Sequence, residues 1–112
     1  MAAMLTTHVL DTARGAPAAG ISVGVFALGG VERKLLGVAV TNADGRTDAP
    51  LATDLAPGPY ELVFAVMDYF ERDGVATFFD EIPVRFVISA GPERYHVPLL
   101  LSPWSYSTYR GS

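Results

Sequence analysis

The sequence predicts an all-β fold, an antiparallel two-sheet β-sandwich of seven to eight short strands with one short helix. Three features carry that expectation. Apolar residues alternate with small or polar ones along short runs, turns of Gly, Pro, Asn and Asp separate the runs, and a single stretch breaks the alternation between an aspartate and a glycine. A chain of 112 residues, half of them hydrophobic, buries one core and is too short for two, so residues 1–112 read as a single domain.

Each element has its own signal. Residues 5–11 are rich in β-branched side chains and stop at Asp11, before a loop holding Gly15, Pro17 and Gly20. Residues 21–28 alternate large and small, which turns Ile21, Val23 and Val25 toward the core. Gly29-Gly30 turns the chain, and a third strand covers 35–40. Asn42-Ala43-Asp44-Gly45 is a loop, because Asn, Asp and Gly tolerate left-handed backbone angles. A short piece at 51–55 and the turn Pro57-Gly58-Pro59 precede the cleanest alternation, with Tyr60, Leu62, Phe64 and Val66 set against Glu61, Val63, Ala65 and Met67. Asp68 then caps a short helix over 69–73, and Gly74 closes it. Residues 77–83 lead into a strand at 84–88, Gly91-Pro92 turns, and the last strands span 94–101 and 104–109 around Ser102-Pro103. Pro98 marks an edge or a bulge, since it brings no N–H to a ladder. Asp80 and Glu81, adjacent on an extended segment, point to opposite faces and read as solvated turn residues, not as paired carboxylates.

Composition narrows the function. There is no cysteine, hence no disulfide framework and no thiolate metal site. Zinc held by the two histidines, His8 and His96, with carboxylates stays open on composition, but no HxxxH or HExxH spacing appears and no metal is expected. The net charge of −4 is spread in ones and twos, without the basic stripe of a nucleic-acid binder. No apolar run approaches a membrane span, and the first residues lack the basic-then-apolar pattern of a secretory signal. A cytoplasmic location is the expectation.

With the strands laid out, the chain resembles the transthyretin-like family and, within it, the 5-hydroxyisourate hydrolases. Thr6-Thr7-His8-Val9-Leu10-Asp11 with Gly15-Ala16-Pro17-Ala18 is similar to the family's opening strand and loop, and Thr41-Asn42-Ala43-Asp44-Gly45-Arg46 to its Asp-Gly-Arg loop. Tyr95-His96-Val97-Pro98-Leu99-Leu100-Leu101-Ser102-Pro103 and Tyr106-Ser107-Thr108-Tyr109-Arg110-Gly111-Ser112 resemble its closing hairpin. The Tyr-Arg-Gly-Ser ending is the specific piece, because hormone-carrying transthyretins share the preceding elements and lack it. Asp80, Arg94 and Trp104-Ser105 depart from the usual hydrolase text, and Arg94 is expected to alter the charge near His96.

The resemblance implies a two-sheet sandwich that pairs into dimers and then a homotetramer, with sites in clefts where dimers meet. It implies cofactor-free hydrolysis of 5-hydroxyisourate, the unstable product of urate oxidation, to 2-oxo-4-hydroxy-4-carboxy-5-ureidoimidazoline. Opening a cyclic amide needs a base toward water, positive charge on the oxygen that becomes negative, and a proton for the leaving nitrogen. Imidazole suits the first and third tasks, and an arginine fork the second. The implied catalytic set is His8, Arg46 and His96, with one histidine as general base and the other orienting substrate or relaying a proton. Arg46 polarises the attacked carbonyl. Tyr109, Arg110 and Ser112 form the substrate-binding set: Arg110 grips ring carbonyls or fixes the terminal segment, and Ser112 holds a histidine or the water. Read singly, His8 and His96 are hydrogen-bonded strand residues, Arg46 is a solvated loop residue, and Tyr109 covers apolar surface. Two alternatives belong to other classes, a transthyretin-like small-molecule carrier without catalysis and a generic β-sandwich adhesion or carbohydrate-side module.

Overall fold

A computed structural model of the protein describes residues 3–91 and 93–112. Among them the chain forms β1 (Ala3–Asp11), β2 (Ala16–Pro17), β3 (Ser22–Ala27), β4 (Lys34–Val40), β5 (Ala52–Leu55) and β6 (Gly58–Phe64). These are followed by α1 (Val66–Glu71), β7 (Ile82–Ile88), β8 (Arg94–Leu101) and β9 (Tyr106–Thr108). The two sheets of the expected sandwich are present. One runs β2-β1-β8-β9, with β5 also paired to β1, and the other runs β4-β3-β6-β7. The strand beyond the expected number is β2, a two-residue pairing of Ala16 and Pro17 with Leu10 and Asp11 inside what reads as loop. Pro92, in the expected Gly91-Pro92 turn, lies outside the described residues. Among the described residues no helix is long and apolar enough to cross a membrane.

The alternation read from the sequence is the alternation of burial. In β1 every second side chain is buried, from Ala3 through Leu5, Thr7 and Val9 to Asp11, leaving Met4, Thr6, His8 and Leu10 on the outer face. Ile21, Val23 and Val25 reach the core, where they meet Leu62, Phe64, Ile82, Ile88, Leu99 and Leu101. Burying such a side chain is worth about 1.5–3 kcal/mol, so the inner faces of the two sheets account for most of the drive to fold.

Three local expectations change on contact with tertiary structure. The helix begins at Val66, not after Asp68: Ala65 takes the N-cap position without a side-chain bond, and Asp68 lies in the first turn. The reason is burial. Val66, Tyr69 and Phe70 sit at i, i+3 and i+4, and all three enter the core, which pulls the helix start back into the alternating run. The helix ends at Glu71, two residues before the expected bound, but Gly74 closes it as expected: Gly74 adopts φ 66°, with Val75 N–H on the Phe70 carbonyl and Gly74 N–H on that of Glu71, a Schellman closure. Pro98 lies in a central strand, between β1 and β9, not at an edge. Its missing N–H falls where the β8–β9 ladder is interrupted, between the Leu99–Thr108 pair and the isolated His96–Gly111 bridge. Finally, β1 and β8 run parallel over eight register pairs, from Met4–Arg94 to Asp11–Leu101, in a fold whose other pairings are antiparallel. A parallel pair requires a long crossover, and here nearly the whole chain supplies it.

Candidate active site

The β1–β8 pairing creates the site. Thr6 and His96 are register partners, and both leave the outer face of the sheet. Thr6 Oγ1 and His96 Nδ1 share a hydrogen bond of 2.9 Å, which fixes the ring and occupies one of its two nitrogens. The terminal segment then crosses beside the ring: Gly111 N–H donates to the His96 carbonyl at 2.7 Å. A Cβ on Gly111 would lie 2.5 Å from His96 Cδ2, so only glycine fits this approach.

Arg46 arrives from the other side, on a loop whose shape follows from its sequence. Asn42 Oδ1 accepts the N–H groups of Asp44 and Arg46, and Asn42 N–H donates to the Arg46 carbonyl at 2.7 Å. Gly45, at φ 73°, presents its carbonyl to Val9 N–H at 2.8 Å; a Cβ there would collide with the Val9 carbonyl oxygen. The tight Asn-to-Arg turn is thereby pinned against β1. Asp48 is held in turn by the Asn42 amide at 3.0 Å.

Arg46, His96 and Ser112 line one hollow of about 440 Å³, together with Thr6, Asp48 and Arg94. That volume lies within the ~300–1,000 Å³ range of small-molecule sites. His8 does not line the hollow. It follows Thr6 on the same face of β1, opposite Pro98, near enough to act on the His96 ring through its charge. Burial lowers the proton affinity of His96 below its ordinary value, and the charges of Arg46 and then His8 lower it further. Arg94 lines the same hollow, two residues from His96 on the same face of β8.

Tyr109 and Arg110 lie elsewhere in the protomer. They line a second hollow of about 340 Å³ at the open edge of the sandwich, with Phe86, Tyr95 and Val97. The Arg110 guanidinium stacks 4.4 Å above the Tyr95 ring, pairs with Glu93 at 3.0 Å and donates to the Arg94 carbonyl at 3.3 Å. Tyr109 is 57% exposed. Of the six residues singled out from the sequence, three share one hollow, His8 stands beside it, and two lie apart. Asp80 and Glu81 are exposed, as expected. Among the described residues no group of three or more His, Asp or Glu side chains converges as a metal site requires. Two residues that line the hollow, Thr6 and Arg94, were not among the six singled out from the sequence. Each is two residues from a histidine on an alternating strand, which places it on the same face; that spacing was the available signal.

An imidazole with a fixed ring, a guanidinium on a turn and an open hollow on a β-sandwich face define the class: a transthyretin-like sandwich equipped for polar chemistry on a small molecule. The chain belongs to the HIUase/Transthyretin family, whose model matches residues 5–111. It is 53% identical to the 5-hydroxyisourate hydrolase of Deinococcus radiodurans, over 96% of this chain and 95% of that one. Among solved structures it is similar to the 5-hydroxyisourate hydrolase of Klebsiella pneumoniae, with a TM-score of 0.86 and 37% identity over 98% of this chain and 94% of that one. It also resembles the transthyretin of Sparus aurata, with a TM-score of 0.89 and 28% identity over 96% and 95% of the two chains.

Proposed function

We propose that this protein hydrolyses 5-hydroxyisourate to 2-oxo-4-hydroxy-4-carboxy-5-ureidoimidazoline, with His96 as general base. The observation that carries the reading is the meeting of His96 and Arg46 on one hollow, with the His96 ring fixed by Thr6 and its proton affinity lowered. Relatives of this length and identity are named for that reaction.

The chemistry follows from the groups present. With Nδ1–H donated to Thr6 Oγ1, Nε2 keeps its lone pair and takes a proton from water. The resulting hydroxide adds to the ring acyl carbon. Charge gathers on the acyl oxygen, where the planar Arg46 fork stabilises it. The imidazolium returns its proton to the leaving ring nitrogen as the C–N bond breaks, and the acyl carbon ends as a carboxylic acid, which ionises by releasing the second water proton to solvent. His8 orients the substrate or relays a proton, and Ser112 positions the water. Arg110 fixes the terminal segment through Tyr95 and Glu93, which keeps Gly111 and Ser112 beside His96. Assembly as a homotetramer, a dimer of dimers with sites where dimers meet, belongs to the same reading and gives the exposed Tyr109 ring a neighbouring copy to meet.

The test is the decay of ultraviolet absorbance of 5-hydroxyisourate made freshly from urate. Wild-type protein accelerates it, and His96→Asn lowers the rate ~10²–10⁴-fold, the usual contribution of a general base. A wild-type protein that binds the compound without hastening its decay would be a carrier, and the hydrolase reading would fail.

A further inference from the structure

The hollow holds a second guanidinium to which the reaction above gives no task. Arg94 precedes His96 by two residues on β8, so both side chains leave the same face of the strand, with Met4 and Thr6 as their β1 partners. The loop carrying Arg46 runs antiparallel to β1: Gly45 meets Val9 at one end, and Leu51 N–H meets the Leu5 carbonyl at the other. Arg46 therefore enters from the Val9 end and Arg94 from the Met4 end, with His96 between them.

Arg94 has no internal use for its charge. Among the described residues its guanidinium makes no ion pair; its backbone pairs with β1 and its carbonyl accepts from Arg110. Asp48, the carboxylate on the same hollow, takes the Asn42 amide instead. A fork of donors lining the hollow on the Met4 side of His96 fits paired oxygens at the unreacting end of a flat ligand.

We infer that Arg94 is a specificity-determining residue that holds the carbonyl edge of the substrate distant from the bond being cleaved. The inference rests on the hydrolase reading for its substrate and names the chemical class recognised, a planar heterocycle with carbonyl oxygens at both ends. The remote edge does not change during ring opening, so Arg94 binds ground state and transition state alike. Loss of such a contact raises KM and leaves kcat in place.

The experiment measures steady-state kinetics for Arg94→Ala and Arg94→Lys beside wild type. It also measures the dissociation constant of urate, an unreactive planar ligand, for each. Arg94→Ala is expected to raise KM and the urate constant together, by about 10-fold or more, with kcat within about two-fold. Arg94→Lys recovers little, because an ammonium does not supply the fork. Unchanged KM and urate binding would overturn the inference, and so would a fall in kcat at constant KM. Absence of turnover in wild type, with urate binding that still depends on Arg94, would overturn the hydrolase reading while keeping Arg94 as the residue that recognises the carbonyl edge of a planar ligand.

Discussion

At the residue scale the central feature is the single hydrogen bond between Thr6 and His96. It decides which imidazole nitrogen is free, and a ring in the wrong tautomer forfeits part of the ~10²–10⁴-fold that a general base supplies. Thr6→Val keeps shape and removes the partner. It is expected to lower kcat about ten-fold or more and to change the shape of the pH–rate profile, while Thr6→Ser restores both. A variant of normal rate and profile would remove Thr6 from its positioning role. The second expectation concerns the proton. Burial, then Arg46, then His8 hold His96 below its ordinary pKa of ~6.5, so the ring stays neutral further into acid than a free histidine. Removing the Arg46 charge should raise the value, and an NMR titration of the His96 ring in Arg46→Ala checks the sign. The same depression has a stability side. As pH falls below ~6.5 the unfolded chain takes up the proton first, so this site costs stability progressively until the folded ring also titrates. None of this was legible in the sequence, where Thr6 is one β-branched residue among several. Hydrogen-bond partners ninety residues apart depend on register, which no local pattern specifies.

At the element scale, the sheet facing away from the hollow carries its own polar feature. Glu61, 3% exposed on β6, receives Arg33 at 2.7 Å and Arg85 of β7 at 2.9 Å, and Arg33 also stacks 4.0 Å over Phe26 of β3. The carboxylate ties three strands and the β4 entry across one face. Its two partners are 54% and 73% exposed, so water competes for them and the contribution is modest. Glu61→Gln is expected to cost about 1–2 kcal/mol in denaturant unfolding at neutral pH, the scale of hydrogen bonds to charged groups after solvent screening. Arg85, chiefly, and Arg33 hold the carboxyl below its ordinary range against the opposing effect of burial. Its contribution is present above the unfolded carboxylate pKa and fades as pH falls through the folded value. The gap between wild type and Glu61→Gln should therefore close in acid; a constant gap would contradict the charge pairing.

The same scale shows what sequence conveys well. Period-two alternation located the strands because burial on one face is its direct cause, as in β1 and β3. The helix boundary was displaced because Val66 satisfies both the strand alternation and the helical stripe, and packing decides between them. Arg46 and His96 were legible as a pair through resemblance and now share a hollow, whereas Tyr109 and Arg110, adjacent to Gly111, turn to the other side of the tail. The regular strand ends at Thr108, so alternation gave no rule for which residues of the tail would face His96.

At the scale of the whole molecule, the proposed tetramer makes a measurable claim. Sites formed where dimers meet lose activity per protomer on dilution, and the loss tracks the mass distribution seen by sedimentation or light scattering. Full specific activity in a dilute monomer would contradict shared sites. The parallel union of β1 with β8 carries a further consequence, for the order of events during synthesis. Residues 3–11 leave the ribosome long before residues 94–101, their central neighbour. Until those emerge, the first strand keeps a row of unsatisfied amides and carbonyls facing solvent, a sticky template for wrong partners. The nascent polypeptide can assemble the β4-β3-β6-β7 layer early, but the hollow beside His96 closes only once residues 94–112 have emerged.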